Sequence, residues 1–342
     1  MAIMDNNISI CIATYNRGFF LRQILNTISL NARFFSNFEI VIADGGSTDD
    51  TVNVIEYFSS YGLDINYIRL EEKGGVDKDF DIAVRNAKFK YCWLLPDDDL
   101  IVDNALKYIF SRIEFYQFPD VLILNSCCFS YDFDCQLNFR NILIDEDVYV
   151  NSCNFQNTLF EVTGRYLSYI GALIIKKDLW VNSFSFKYFN SRFIHLGILS
   201  EIPLTSKILI CSQPIVKIRL GNAEWSDISF YIWFKFWPDI ISNFTSLDLE
   251  LKNKLLNRSF KTLLSLFLYQ RALGYFNFKV YKNLLFKKDI FYTQFLGLFI
   301  VLIPSFILRF IYFVRYKLSN DLVGLYNIGP GRYTKNSWKS KF

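Results

Sequence analysis

At 342 residues, 52% of them hydrophobic and 18% aromatic, the chain can bury a substantial core in two modest domains or in one domain with large additions. Seven Cys is an odd count, with Cys127 and Cys128 adjacent and no C-x-x-C pair, which excludes a disulfide framework and a zinc site and predicts buried thiols in a reducing compartment. The net charge of +4 hides a division: residues 271–342 carry 12 Lys and Arg against 2 Asp and Glu, a net of +10, which leaves −6 for the rest.

Taken in chain order, "ISICIAT" (Ile8 to Thr14) reads as a strand, followed by a helix over about 19–30. "FEIVIA" (Phe38 to Ala43) is a second strand, with a helix over about 50–61 for which Ser47 and Asp49 offer caps. "INYIRL" (Ile65 to Leu70) and a helix over about 77–87 come next. "YCWLL" (Tyr91 to Leu95), a helix over about 102–115 and "VLIL" (Val121 to Leu124) complete the series. Near-continuous apolar strands between helices predict an α/β fold with a mostly parallel sheet and helices on both faces.

In such a sheet the ligand crevice lies outside the carboxyl ends of the strands. Four polar loops fall there: Thr14 to Arg17, Asp44 to Asp50, Glu71 to Asp79, and the triplet Asp97, Asp98 and Asp99. Three adjacent carboxylates repel one another, so they call for a cation, unless they form a solvated turn. A nucleotide diphosphate at this rim would need Mg²⁺ or Mn²⁺, which prefer hard carboxylate oxygens. Asp97 and Asp99 flank one residue, a spacing that lets both reach one ion. Asp44 could accept hydrogen bonds from a base, Gly45 and Gly46 let a ring approach the backbone, and Arg17 and Lys78 could counter phosphate charge. "DGGST" also reads simply as a tight turn with a helix cap. No G-x-G-x-x-G follows the first strand, and no P-loop, H-E-x-x-H or serine-nucleophile elbow occurs.

"ISICIATYNR", "IVIADGGSTDDT" and an aspartate triplet after "YCWLL", in this order and spacing, resemble the N-terminal half of the family 2 glycosyltransferases, which have the GT-A (Rossmann-like) fold. "GGVDKDFDIAV", "YLSYIGALIIKKDLW" and "RLGNAEWS" are similar to a narrower group that includes the abequosyltransferase-type enzymes of bacterial O-antigen synthesis. The resemblance implies a nucleotide-sugar donor (a CDP- or dTDP-linked deoxysugar), a divalent metal (Mn²⁺ or Mg²⁺), and transfer to a growing, lipid-linked glycan, with no nucleic-acid partner. By position, Thr14, Tyr15, Asn16, Arg17 and Asp44 would line the nucleotide. Gly75, Asp77, Lys78 and Asp79 would form the donor loop. Asp98 and Asp99 match the pair that contacts ribose and metal, with Asp99 the expected ligand and Asp97 a second ligand or a bystander. The acidic pair that many inverting relatives use as base is missing. Ile194 and His195 occupy its place, so His195 becomes the candidate base, with Glu201 as the fallback. The same departure leaves inversion or retention open. Asn222 and Trp225 are candidate acceptor contacts.

Two other classes remain: a nucleotidyltransferase that makes a nucleotide sugar, and a non-catalytic membrane adaptor. "TYNRG" is sparse for holding a triphosphate, and an adaptor leaves four convergent loops unexplained. The expected organisation is a glycosyltransferase domain over 1–226, split near 125 into donor and acceptor halves, then a helical region over 227–342. The start of the chain has no basic n-region or signal-type h-region, which predicts a cytoplasmic protein. Ile290 to Leu308 is uncharged for 19 residues, but Pro304 interrupts it and Lys287, Lys288, Arg315 and Lys317 flank both ends. Arg332, Lys335, Lys339 and Lys341 follow. A peripheral or re-entrant segment on the cytoplasmic face of the bacterial inner membrane fits this pattern better than a span.

Overall fold

The computed structural model describes residues 7–33, 37–222, 228–256, 259–285 and 291–329. The first third alternates as predicted: β1 (Ile8–Thr14), α1 (Gly18–Ala32), β2 (Phe38–Asp44), α2 (Thr51–Ser60), β3 (Ile65–Arg69), α3 (Val76–Asn86) and β4 (Tyr91–Leu94). β1 pairs in parallel with both β2 and β4, and β2 with β3. Ile8, Ile10 and Ile12 of β1 and Ile40 and Ile42 of β2 pack in one cluster with Leu21, Ile24, Leu25 and Ile28 of α1. Full burial of such side chains stabilises by about 1.5–3 kcal/mol each. The alternate strand positions, such as Cys11 and Val41, are also fully buried, and α3 packs against β1 and β2. Both faces are therefore covered, which is why these strands lack a polar alternation.

The helix expected from about residue 102 begins later. Leu100 and Ile101 form a two-residue strand, β5, against a later strand, and Asn104 takes a left-handed conformation (φ 62°) before α4 (Ala105–Phe115) starts. The sheet continues with β6 (Val121–Phe129) and β7 (Val148–Val150). After α5 (Phe155–Thr163) come two 3₁₀ turns and then β8 (Leu173–Lys176). Beyond α6 (Lys177–Val181) and α7 (Ile194–Glu201), β9 (Ile208–Arg219) closes it. The order is β3-β2-β1-β4-β8-β6-β9-β5, with β7 also on β9.

One expectation needs correction: the sheet is mixed rather than mostly parallel. β4 meets β8 antiparallel, as do β8 with β6, β9 with β5 and β9 with β7. β6, β8 and most of β9 are as buried as β1, so their apolar runs give no sign of strand direction. The Asp triplet thus leaves the last strand of the parallel block, where the sheet changes sense.

The chain forms two compact units that do not follow a single cut. The first takes residues 1–127, 139–218 and 243–247; the second takes 128–138, 219–242 and 248–342. The second unit is helical: α8 (Ser229–Tyr231), a π turn (Ile232–Phe236), α9 (Trp237–Ser242), α10 (Leu249–Leu255), α11 (Phe260–Ala272), α12 (Phe278–Leu284), α13 (Phe291–Leu302), α14 (Ser305–Leu318) and α15 (Leu322–Ile328). Ser259, Asn277 and Asp321 cap α11, α12 and α15 by accepting the N–H three residues on. Phe230 stacked on Phe276, with Phe267 tilted against both, centres its core. All seven Cys are free, and Cys135 and Cys153 are exposed rather than buried as expected.

Candidate active site

Thr14 and Asp44 end β1 and β2 in register, so their side chains stand side by side at the carboxyl edge. The Thr14 hydroxyl donates to Asp97 at 2.7 Å. Arg17 then joins the first loop to the triplet, with Nε 3.3 Å from one Asp97 oxygen and Nη2 2.6 Å from Asp98. Its guanidinium also lies over the Phe20 ring, 5.0 Å from the centroid. Asp99 takes a different partner, accepting the Tyr169 hydroxyl at 2.5 Å. Asp97 and Asp99 are 4% and 3% exposed, so the triplet is no solvated turn. Part of its charge is offset from within, by Arg17.

The second loop is knitted to the first. Asn16, in a left-handed conformation (φ 52°), accepts the Thr48 N–H at 2.7 Å, and its own N–H reaches the Ser47 hydroxyl. Asp44 is fully buried; one oxygen accepts the Ser47 N–H and hydroxyl, the other the Tyr67 hydroxyl. Burial and the Asp44 carboxylate push the Tyr67 phenol up to about 12. Ser47 thus belongs to Asp44 and does not cap α2, whose N-cap residue Asp50 makes no side-chain capping bond; Asp49, just before it, accepts from Thr51 N–H and hydroxyl and from Gly18 N–H. A Cβ on Gly18 would lie 2.8 Å from the Thr51 nitrogen, so glycine lets these two loops meet.

In the third loop Lys73 places its ammonium 4.6 Å from the centre of the Tyr15 ring, and Gly45 lies against its stem. Gly75, at φ 89°, turns the chain into α3, whose first turn carries Asp77 and Asp79 while Lys78 points to solvent. Both acids are 3% exposed, and burial raises each to about 6 against the pull of its backbone hydrogen bonds. Asp77 accepts the N–H groups of Arg192 and Ile194 at the start of α7. One Asp79 oxygen is buried without a hydrogen-bond partner.

The two expected bases are engaged with other partners. His195 is 1% exposed, and its Nε2 donates to the Leu167 carbonyl at 2.8 Å while Nδ1 has no partner. Burial pulls its pKa to about 4, so the ring is neutral at pH 7 and its conjugate acid is too strong to keep a proton taken from a sugar hydroxyl. This is the environment of a packed core histidine. Glu201 is six residues further along α7, about 9 Å on. There its carboxylate takes the Phe184 N–H, the Tyr188 hydroxyl and the Lys187 ammonium. Burial opposes ionisation of Glu201, but those donors outweigh it and lower the pKa. Trp225 lies outside the described residues.

Oxygen donors suit a hard divalent cation, and the buried triplet supplies them. Among the described residues, however, no three acidic, His or Cys side chains converge so as to hold a metal ion. The protein donor set fits an ion completed by phosphate oxygens and water, the usual habit of Mg²⁺.

Residues 9–146 match the family model described as Glycosyl transferase family 2. Abequosyltransferase RfbV of Salmonella typhimurium is 28% identical over 275 residues, 73% of this chain and 80% of that protein. Glycosyltransferase GlyG of Streptococcus pneumoniae is 25% identical over 52% of this chain and 59% of its own length. Among solved structures, Staphylococcus aureus TarS 1–349 in complex with UDP-GlcNAc superposes with a TM-score of 0.57 at 17% identity, over 93% of this chain and 89% of that one. The mannosyltransferase PcManGT of Pyrobaculum calidifontis, in complex with GDP-Man and Mn²⁺, gives 0.50 at 12% identity, over 95% and 86%. The protein is therefore a glycosyltransferase on a GT-A-like mixed α/β fold, with residues 9–146 similar to the family 2 domain.

Proposed function

We propose that this enzyme moves a deoxyhexose from a CDP- or dTDP-linked donor to a growing, lipid-linked glycan of the bacterial surface, as in O-antigen synthesis. The observation that carries the reading is the convergence of four loops at the carboxyl edge of the parallel block: Thr14, Asn16 and Arg17 tie the first to the second and to the triplet, and Lys73 of the third lies over the Tyr15 ring. The kinship with an abequosyltransferase supplies the donor class. Asp99, with Asp97 behind it, would hold a Mn²⁺ or Mg²⁺ ion. Bound there, the ion supplies Lewis-acid stabilisation of the departing nucleoside diphosphate. The chain does the rest by position. Tyr15 and Asn16 would form the nucleotide wall, with the fully buried Asp44 behind them holding Ser47, and the loop from Gly75 to Asp79 would take the sugar side. Held by Asp97 and Asp98, Arg17 keeps those carboxylates from repelling the donor phosphates.

Metal-dependent release of nucleoside diphosphate from the donor, rising on addition of acceptor, is the expected result. Release of pyrophosphate from a nucleoside triphosphate would instead make the chain a nucleotidyltransferase. With neither, the transferase reading falls.

We also place the second unit on the cytoplasmic face of the inner membrane. No single described helix is long and apolar enough to cross a membrane. α13 and α14 together pass that test of length and composition, but they are bent by 90° at Ile303 and Pro304. Arg271 donates from Nε to the Ile303 carbonyl at 2.9 Å, satisfying a group that the break in the helix leaves open. Phe295, Phe299, Leu302, Phe306 and Phe310 are each more than 60% exposed, and Arg315 and Lys317 are exposed on the same pair. Apolar rings beside cations suit the acyl and headgroup layers of an anionic bilayer. Lys287, Lys288, Arg332, Lys335, Lys339 and Lys341 lie outside the described residues. The protein should co-sediment with vesicles rich in phosphatidylglycerol, and Phe299→Asp with Phe306→Asp should release it. Retention in the supernatant by the unaltered protein would refute the placement, as would periplasmic labelling of a cysteine introduced near residue 318.

A further inference from the structure

Tyr169 has no assigned part in transfer, yet its setting is the most constrained near the triplet. It is the extended residue between two 3₁₀ turns, Gly164–Ser168 and Ile170–Ala172. That short segment is pinned on every side within the first unit. The Tyr166 hydroxyl donates to the Leu124 carbonyl at 2.7 Å, the Leu167 carbonyl accepts His195 Nε2, and the Gly171 carbonyl accepts Trp93 Nε1 at 3.0 Å. A Cβ on Gly171 would stand 2.3 Å from the Tyr169 hydroxyl oxygen and 2.7 Å from Pro96, so only glycine leaves the phenol its place. From this frame the Tyr169 hydroxyl reaches Asp99 at 2.5 Å.

We propose that Tyr169 is a positioning residue for transfer: its hydroxyl engages one Asp99 oxygen and fixes the rotamer in which the other is presented to the cation of the donor diphosphate. The inference rests on the reading of Asp99 as the metal ligand. Partners that orient a ligating carboxylate are typically worth about 10- to 100-fold in metal affinity. Arg17 and Thr14 do the corresponding work for Asp97 and Asp98, so the triplet divides into a pair anchored from the first loop and a single carboxylate aimed by Tyr169. His195 enters through the same frame. Its bond to Leu167 steadies the segment that carries Tyr169, which gives the residue a use without proton transfer.

The test is titration of the purified chain with Mn²⁺, followed by electron paramagnetic resonance in the presence of inorganic diphosphate. Tyr169→Phe keeps the ring and its packing on Tyr166 and loses only the hydroxyl. It should bind Mn²⁺ about 10- to 100-fold more weakly at an unchanged melting temperature. Tyr149→Phe, which removes a hydroxyl from β7, outside that frame, should bind as the parent does. If Tyr169→Phe fails to fold, Gly171→Ala displaces the hydroxyl with the side chain intact and should show the same loss. Parental affinity in Tyr169→Phe, alongside loss in Asp99→Asn, overturns the proposal and leaves the metal reading standing. Parental affinity in Asp99→Asn removes the metal reading itself.

Discussion

Asp99→Asn is expected to cut sugar transfer by at least about a hundredfold, the range seen when one charge-stabilising group is lost from a preorganised site. Stability should move little, and upward if at all. Asparagine keeps an oxygen to accept the Tyr169 hydroxyl, so the buried bond at 2.5 Å survives in a weaker form. What disappears is one of three adjacent negative charges, two of them 4% exposed or less. The amide costs less to bury than the carboxylate. Activity and stability therefore separate, and that separation is the informative result. A variant with full activity would return the triplet to a structural turn. A variant that loses both would mark Asp99 as a folding residue. Melting curves with and without Mn²⁺, set beside steady-state rates, distinguish the three cases.

The loops of the first unit were legible because each follows an apolar strand and each carries residues with one strong habit. Asp44 at the end of β2, the glycines that follow it and the triplet after β4 all stand where the sheet's carboxyl edge requires. What the sequence hid is partnership across distance. Arg17 and Asp98 are 81 residues apart, and Tyr169 and Asp99 are 70 apart. No local spacing encodes either pair. A phenol in "YLSYIGA" looks like any half-buried tyrosine, although the glycine two residues on was a hint that something packs closely. His195 misled for the same reason. As the only histidine, at a position where the resemblance led to the expectation of an acid, it invited a catalytic role, whereas its depth is set by α7 packing on Tyr188 and Leu167. Strand direction beyond residue 120 was equally silent, since strands buried on both faces carry no polarity pattern. The basic, aromatic tail was visible in composition alone. Its 90° bend was foreshadowed only by Pro304.

Arg17→Ala tests whether that cation serves the protein or the donor. In the sequence it reads as a counter-charge for phosphate. The structure gives it to Asp97 and Asp98, with the Arg17 side chain 14% exposed and the acids 6% and 18%. Removing one member of so buried a group deprives the carboxylates of their guanidinium, a loss of about 3–5 kcal/mol where breaking buried pairs has been measured. The expected outcome is a large drop in stability centred on β1 and β4, read as faster hydrogen exchange in peptides covering residues 8–20 and 91–101. Arg17→Lys should recover only part of it, because a single ammonium cannot bridge two carboxylates as a planar fork does. The double variant Arg17→Ala with Asp97→Asn should regain stability over Arg17→Ala alone, since the uncompensated charge has gone. Unchanged exchange with weakened nucleotide binding would mean the opposite: Arg17 is held in reserve for the donor phosphates, and the triplet depends on the metal for its neutrality.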